Sequence, residues 1–162
     1  MDIRDAALKY LTSRARTCGE VEQHLRTKGF EKEEIRETLQ YLKERHYVDD
    51  SDYCLRYFDY AFAKGRGILR IKRELEEKGV DSQTIQIALE DYEPEESEFD
   101  RAAEQAEKIV QGKEIDDRLL AKIGRKLGAM GYASHVIYQV IGKYMRDEYG
   151  RPVFKNKDAS GR

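Results

Sequence analysis

A short block recurs three times along this chain, at a spacing of about fifty residues. It reads Leu25-Arg26-Thr27-Lys28-Gly29-Phe30, then Leu75-Glu76-Glu77-Lys78-Gly79-Val80, then Leu127-Gly128-Ala129-Met130-Gly131-Tyr132. Each copy holds a Leu, three spacers, a Gly and an apolar residue. The flanks repeat as well. Val21, Ile71 or Ile123 stands four residues before each Leu, and Ile35, Ile85 or Ile137 five residues after the apolar residue. Leu39, Leu89 or Ile141 follows four further on. A chain built from one repeated helical unit is better suited to presenting a surface than to enclosing an enzyme pocket.

The apolar spacing predicts three helices per unit. Helix one covers residues 2–14, through Ala6, Ala7, Tyr10 and Leu11. Thr17 and Glu20 form a Thr-x-x-Glu capping box that opens helix two, and Gly29 closes it. Helix three carries Ile35, Leu39 and Leu42 and runs to about His46. Asp49-Asp50-Ser51-Asp52 opens helix four, which is rich in Tyr and Phe and broken by Gly65-Arg66-Gly67. Helix five carries Ile68, Ile71 and Leu75, and helix six Ile85, Ala88 and Leu89. Seven of the eleven residues from Glu90 to Asp100 are acidic, which reads as a linker. Helix seven is expected from about Glu95 to Gly112. Helix eight opens at Asp116-Asp117 and ends at Gly131, and helix nine carries Val136, Ile137, Val140 and Ile141. No alternating β pattern of useful length occurs, so the expected fold is all-α. Its expected divisions are 1–49, 50–93 and 94–148, each a three-helix repeat, with a flexible tail at 149–162.

Charge is spread unevenly. Residues 1–50 hold ten basic and eleven acidic side chains, residues 51–100 seven and thirteen, and residues 101–162 thirteen and eight. The net of −2 excludes a bulk polycation that coats nucleic acid. Local clusters remain. Lys64, Arg66, Arg70, Lys72 and Arg73 form the densest, and Lys122, Arg125 and Lys126 stand at the equivalent place in repeat three. Both fall on or just before the second helix of their unit, a placement similar to that in helix-turn-helix modules. The competing reading is a solvated face with i,i+4 partners such as Arg70–Glu74 and Lys72–Glu76. Arg14 and Arg16 are weaker candidates.

Catalytic readings find little support. His24, His46 and His135 are scattered and have no metal-ligand spacing with Cys18 and Cys54. No phosphate-loop motif occurs. Asp49-Asp50 and Asp116-Asp117 read as helix caps before they read as a cation site. Tyr53, Tyr57, Phe58, Tyr60 and Phe62 cover more than one face of helix four. Most of them should be core, and an exposed Tyr57 or Tyr60 would suit an interface anchor or a base-stacking platform. Two cysteines give no disulfide framework. The charged start Met1-Asp2-Ile3-Arg4-Asp5 lacks a signal-peptide core, and no apolar run reaches the length of a membrane helix. The expectation is a cytoplasmic, monomeric, non-enzymatic protein with no cofactor, no metal and no membrane association.

In order and spacing, these motifs resemble the RecX regulatory family of bacteria over nearly the whole chain. The resemblance rests on Ala7-Leu8-x-x-Leu11-x-x-Arg14, Glu20-x-x-x-x-Leu25 and Lys28-Gly29-Phe30. It continues through Tyr47-Val48-Asp49-Asp50 before an aromatic helix, then Gly65 and Gly67 ahead of Ile71-x-x-x-Leu75-x-x-Lys78-Gly79-Val80. The last copy is the degenerate Leu127-x-x-x-Gly131-Tyr132. The resemblance implies an elongated, curved array of three three-helix repeats. It also implies a modulator, usually an inhibitor, of the RecA recombinase in DNA repair, recombination and the SOS response. Such a protein would lie in the groove of the RecA–DNA filament, with direct DNA contact in some members. One departure is His46-Tyr47 where the family often has Gly-Tyr, which should alter a turn. An alternative stays open: a sequence-independent DNA-binding helical module that acts without RecA.

Overall fold

The computed structural model describes residues 1–145; the tail expected from residue 149 lies outside them. The described residues form nine α-helices and no strand. They are α1 (Ile3–Leu11), α2 (Cys18–Thr27), α3 (Lys32–Glu44), α4 (Asp50–Ala63), α5 (Ile68–Glu77), α6 (Ser82–Asp91), α7 (Glu98–Val110), α8 (Asp117–Met130) and α9 (Ser134–Gly142).

The chain divides into two compact units, one of residues 1–60 and 72–93, the other of residues 61–71 and 94 onward. In the first unit α1, α2 and α3 pack mutually around Ala7, Val21, Leu25, Ile35 and Leu42. In the second, α7, α8 and α9 pack around Ala102, Ala106, Ile123, Leu127, Tyr132 and Val140. Leu25, Leu75 and Leu127 are all completely buried. Burying a leucine contributes about 1.5–3 kcal/mol, so these three repeated positions act as packing anchors.

The repeated block has a local cause. In each copy the glycine takes a left-handed φ (92° at Gly29, 90° at Gly79, 99° at Gly131). The next N–H then reaches back to the leucine carbonyl: Phe30 to Leu25 at 3.2 Å, Val80 to Leu75 at 3.1 Å and Tyr132 to Leu127 at 3.1 Å. This is a Schellman turn, in which the residue after the glycine packs on the last helical turn. The Leu-to-apolar spacing is the sequence signature of that turn.

The second helices of successive repeats meet end to end. In the first unit the start of α2 lies on the end of α5, where the Thr17 hydroxyl donates to the Lys78 carbonyl at 2.5 Å. In the second the start of α5 lies on the end of α8. There the Gly67 N–H donates to the Met130 carbonyl at 2.8 Å and the Leu69 N–H to the Gly131 carbonyl at 3.1 Å. Each contact joins a helix start, with its spare N–H groups, to a helix end with spare carbonyls.

Several expectations need adjustment. α1 is shorter than 2–14, because Asp2 caps it and the Thr12 hydroxyl donates to the Lys9 carbonyl at 2.7 Å. α7 starts at Glu98 rather than near Glu95, because Ser97 accepts the Asp100 N–H at 3.0 Å and so fixes the cap. Phe30, Leu39 and Leu89 are only half-buried. On α9 the buried residues are Val136 and Val140, while Ile137 and Ile141 are half-buried. Two local features accompany this pattern. Val136 and Ile137 both donate to the Ala133 carbonyl at 3.0 Å, so the first turn is tightened. Gly124 and Gly128 on α8 lie beside Ile141 and Ile137, where repeats one and two carry charged side chains at the equivalent positions. His46 does not change the turn it occupies. Its φ of 58° places it in the left-handed region, and Tyr47 N–H still reaches Leu42 O at 2.9 Å.

Candidate functional site

The second unit carries the loop from Lys64 to Gly67, and long-range contacts fix that loop at both ends. The Tyr132 hydroxyl donates to the Gly65 carbonyl at 2.6 Å. The Ile68 N–H, at the start of α5, donates to the Glu98 carboxylate at 2.9 Å. Gly67 has no side chain to cap α5, so a residue thirty positions later supplies the cap. Glu98 is itself held by Arg101, in an ion pair whose side chains are 17% and 8% exposed. The Arg101 guanidinium carbon lies 4.0 Å from the centre of the Phe62 ring, and its Nη1 donates to the Glu96 carbonyl at 2.5 Å. A buried cation and its counter-ion thus anchor the base of a loop that presents Lys64 and Arg66. Arg70 follows on α5, and its backbone and Cβ press on Gly131 at the end of α8.

On α8, Lys122, Arg125 and Lys126 stand three and four residues apart, the spacing that puts side chains on one helical face. The fold adds Lys113, from the α7–α8 loop. Lys122 has its pKa pulled below the ordinary lysine value, first by the positive charge of Lys113 and also by Lys126 and Arg125. Four cations therefore gather on the second unit, which also carries the Lys64, Arg66 and Arg70 segment. Lys72 and Arg73 belong to the first unit. Sequence reading missed Lys113 because it lies nine residues before Lys122, in the loop ahead of α8, where no helical period relates the two. It also missed Glu98 and Arg101, which read as ordinary surface residues of an acidic stretch.

The other candidates have structural work. The Asp49 carboxylate accepts the Asp52 N–H at 3.0 Å, that of Asp50 the Cys18 N–H at 2.9 Å, and that of Asp116 the Leu119 N–H at 2.8 Å. Asp50 thus caps α2 rather than its own helix. Burial pushes the Cys18 and Cys54 thiols up to about 11, reinforced at both by the Asp50 carboxylate, so neither is an activated nucleophile. Phe58 is buried and meets Tyr92 edge-on, while the half-buried Tyr57 donates its hydroxyl to Glu74 at 2.7 Å. Tyr60 is exposed. Arg14 pairs with Glu20 at 3.3 Å and so supports the α2 capping box. Arg16 lies over Tyr10.

Fold and site together define a class: an all-helical protein of tandem three-helix repeats with a basic edge on one unit. Family models for the first and second three-helix domains of RecX match residues 4–42 and 49–89. A regulatory protein RecX from Vibrio parahaemolyticus is 33% identical over 131 residues, covering 80% of this chain and 83% of its own length. A regulatory protein RecX from Bacillus pumilus is 28% identical over 161 residues, 94% of this chain. The chain spans 58% of that relative's length. The crystal structure of RecX from Lactobacillus salivarius superposes with a TM-score of 0.76 at 26% identity, covering 86% of this chain and 92% of that one. The chain belongs to the RecX family.

Proposed function

We propose that the chain is a non-enzymatic regulator that binds the RecA recombinase on its DNA filament and opposes ATP hydrolysis, filament growth and strand exchange. Family membership supports a regulatory role. The observation that carries the reading to a surface is the set of four cations, Lys113, Lys122, Arg125 and Lys126, in which Lys122 feels the positive charge of the other three. Such a set is relieved by an anionic partner, and a filament offers both acidic protein and phosphate. The Lys64–Arg70 segment, pinned by Tyr132 and Glu98, is a second, pre-ordered basic contact. The mechanism is a population shift: tighter binding to one filament state than to another biases the filament toward the favoured one. The protein works as a cytoplasmic monomer in recombinational repair and the SOS response. Among the described residues, no helix is long and apolar enough to cross a membrane.

The decisive measurement is DNA-dependent ATP hydrolysis by the cognate RecA, titrated with this protein. A progressive fall is expected, and unchanged hydrolysis across the titration refutes the reading. Two sets of substitutions locate the contact. Lys122→Glu with Lys126→Glu should weaken filament binding most. Arg66→Ala, Arg70→Ala and Arg73→Ala together should weaken it less and leave the fold intact, since Ala retains the Cβ that packs on Gly131. Surface changes of this kind cost within about 0.5 kcal/mol each. The same cations also support direct DNA binding without RecA. In that case affinity for DNA alone should fall steeply with salt.

A further inference from the structure

A second basic site lies in the first unit, formed by α1, the loop after it, and α2. A cavity of about 290 Å³ opens there between Lys9, Tyr10, Ser13, Arg16, His24 and Lys28. None of the described residues lining it is a carboxylate. Part of its lining is a stack. The Tyr10 and His24 rings lie 3.9 Å apart and within 6° of parallel. The Arg16 guanidinium carbon lies 4.1 Å from the centre of the Tyr10 ring. Tyr10 thus packs against both an imidazole and a guanidinium. Arg16 is fixed further: its Nε donates to the Tyr10 carbonyl at 3.4 Å and its Nη2 to the Ser13 hydroxyl at 3.1 Å. Lys9 from α1 and Lys28 at the end of α2 add charge at the rim.

Three cations, a hydroxyl and an imidazole around one concavity form an anion receptor, and Arg and Lys there suit phosphate. The cavity approaches the volume range of small-molecule sites, more than a bare oxyanion fills, and aromatic rings form part of its wall. We propose that this cavity binds a nucleoside phosphate, either free or as one residue of a single-stranded nucleic acid.

His24 gives the site a signature. Burial, then the charges of Lys28 and Arg16, hold its pKa below the ordinary histidine value. Those two cations, Lys9, Tyr10, Ser13, Ala6 and Met1, which carries the α-amino group, line the cavity with it, and none is acidic. A bound phosphate reverses the local field and raises the pKa of the ring. Binding is therefore linked to proton uptake. For a phosphodiester, whose charge is constant in this range, affinity should rise as pH falls from the His24 pKa of the complex to that of the free protein, by at most about tenfold per pH unit, and level off below it; a phosphate monoester takes up its own proton at about pH 6, which opposes the rise.

The test is NMR of the His24 ring in the full chain, titrated with thymidine monophosphate, inorganic phosphate and a short oligo-dT. The nucleotide should shift the His24 signals saturably, raise the midpoint of their pH titration, and bind more tightly than inorganic phosphate. Oligo-dT binding much more tightly than the monomer assigns the ligand to a nucleic acid chain, whereas equal affinity assigns it to the free nucleotide. Lys9→Glu with Lys28→Glu should abolish the shifts. His24→Gln, read by calorimetry, should retain binding and lose its pH dependence. If no probe moves His24 at pH 6, or if inorganic phosphate binds as tightly as the nucleotide, the proposal is wrong. RecA is absent from the experiment, so its failure would leave the regulatory reading untouched.

Discussion

The two end-to-end helix contacts solve one problem by different means. In the first unit the start of α2 is self-sufficient. Thr17 accepts the Glu20 N–H at 3.0 Å, and its own N–H donates to Glu20 Oε1 at 3.0 Å. Its hydroxyl still has a hydrogen to donate to Lys78 O. In the second unit the start of α5 has a glycine at the cap position and joins α8 through the backbone bonds of Gly67 and Leu69. Its side-chain cap comes from Glu98 of α7. A cap written locally leaves a helix start insensitive to the rest of the fold. A borrowed cap makes the start of α5, and the basic loop before it, depend on the packing of α7.

The largest expected effect breaks the second contact. A Cβ on Gly131 would meet the Arg70 Cβ at 2.3 Å and the Arg70 backbone nitrogen at 2.6 Å, at a left-handed φ of 99°. Gly29 is its counterpart in repeat one, with φ 92°, yet a Cβ there meets nothing within 4 Å. Gly29→Ala should therefore cost only the left-handed penalty, about 1–2 kcal/mol. Gly131→Ala adds a backbone clash and should cost more than about 4 kcal/mol, or prevent folding of the second unit. Urea denaturation followed by circular dichroism gives both numbers. Equal losses would mean that the close approach of α5 and α8 adds nothing.

Next comes the borrowed cap. Glu98→Ala removes the acceptor of the Ile68 N–H and leaves the Arg101 cation buried without its counter-ion. Breaking one side of a buried pair costs about 3–5 kcal/mol. Hydrogen exchange at Ile68 and Leu69 should accelerate in this variant while Glu20 and Val21, at the start of α2, keep their protection. Acceleration at both helix starts would deny the independence of the two contacts.

The local cap is expected to matter less, and in a way that depends on its hydroxyl. Thr17 is completely buried and serves Glu20 and Lys78 at once. Thr17→Val keeps the shape and leaves two groups unpaired, for a loss of about 1–3 kcal/mol. Thr17→Ser keeps the hydroxyl and should fall within about 1 kcal/mol of the parent, the small loss of one buried methyl. Thermal melts of the two variants decide between a hydrogen-bonding role and a packing role.

What the sequence revealed follows the same division. The Leu-Gly-apolar block, the Thr17–Glu20 box and the anchors Leu25, Leu75 and Leu127 are local or periodic, and all were legible. The Glu98 cap, the buried Arg101 and the gathering of Lys113 with Lys122 were not, because each joins residues that no helical period relates. Arg101 is the sharpest case. It sits on a helix that follows seven acidic residues in eleven, where a basic side chain reads as a solvated counter-charge, yet it is 7% exposed. In repeat three the expected Ile137 and Ile141 gave way to Val136 and Val140. Ile141 and Ile137 lie beside Gly124 and Gly128, a neighbourhood that is visible only once α9 is placed on α8.

The smallest expected effect measures the left-handed backbone without any junction. His46 ends the α3 turn with φ 58°, a conformation the other such turns give to glycine. His46 and Tyr47 are both exposed, so no packing holds the histidine there. His46→Gly relieves a strain of about 1–2 kcal/mol. It also gives the unfolded chain more freedom, which takes back about 0.4–1 kcal/mol. The net should be a gain of up to about 1.6 kcal/mol, seen as a later urea midpoint at unchanged slope. Agreement between this gain and the Gly29→Ala loss, once the unfolded-state correction is applied to each, would fix the cost of a left-handed residue in this protein. The excess loss at Gly131 then belongs to the contact between α5 and α8. Were His46→Gly to destabilise instead, the histidine would be held by something other than its backbone, and the Gly29 comparison would need a different reference.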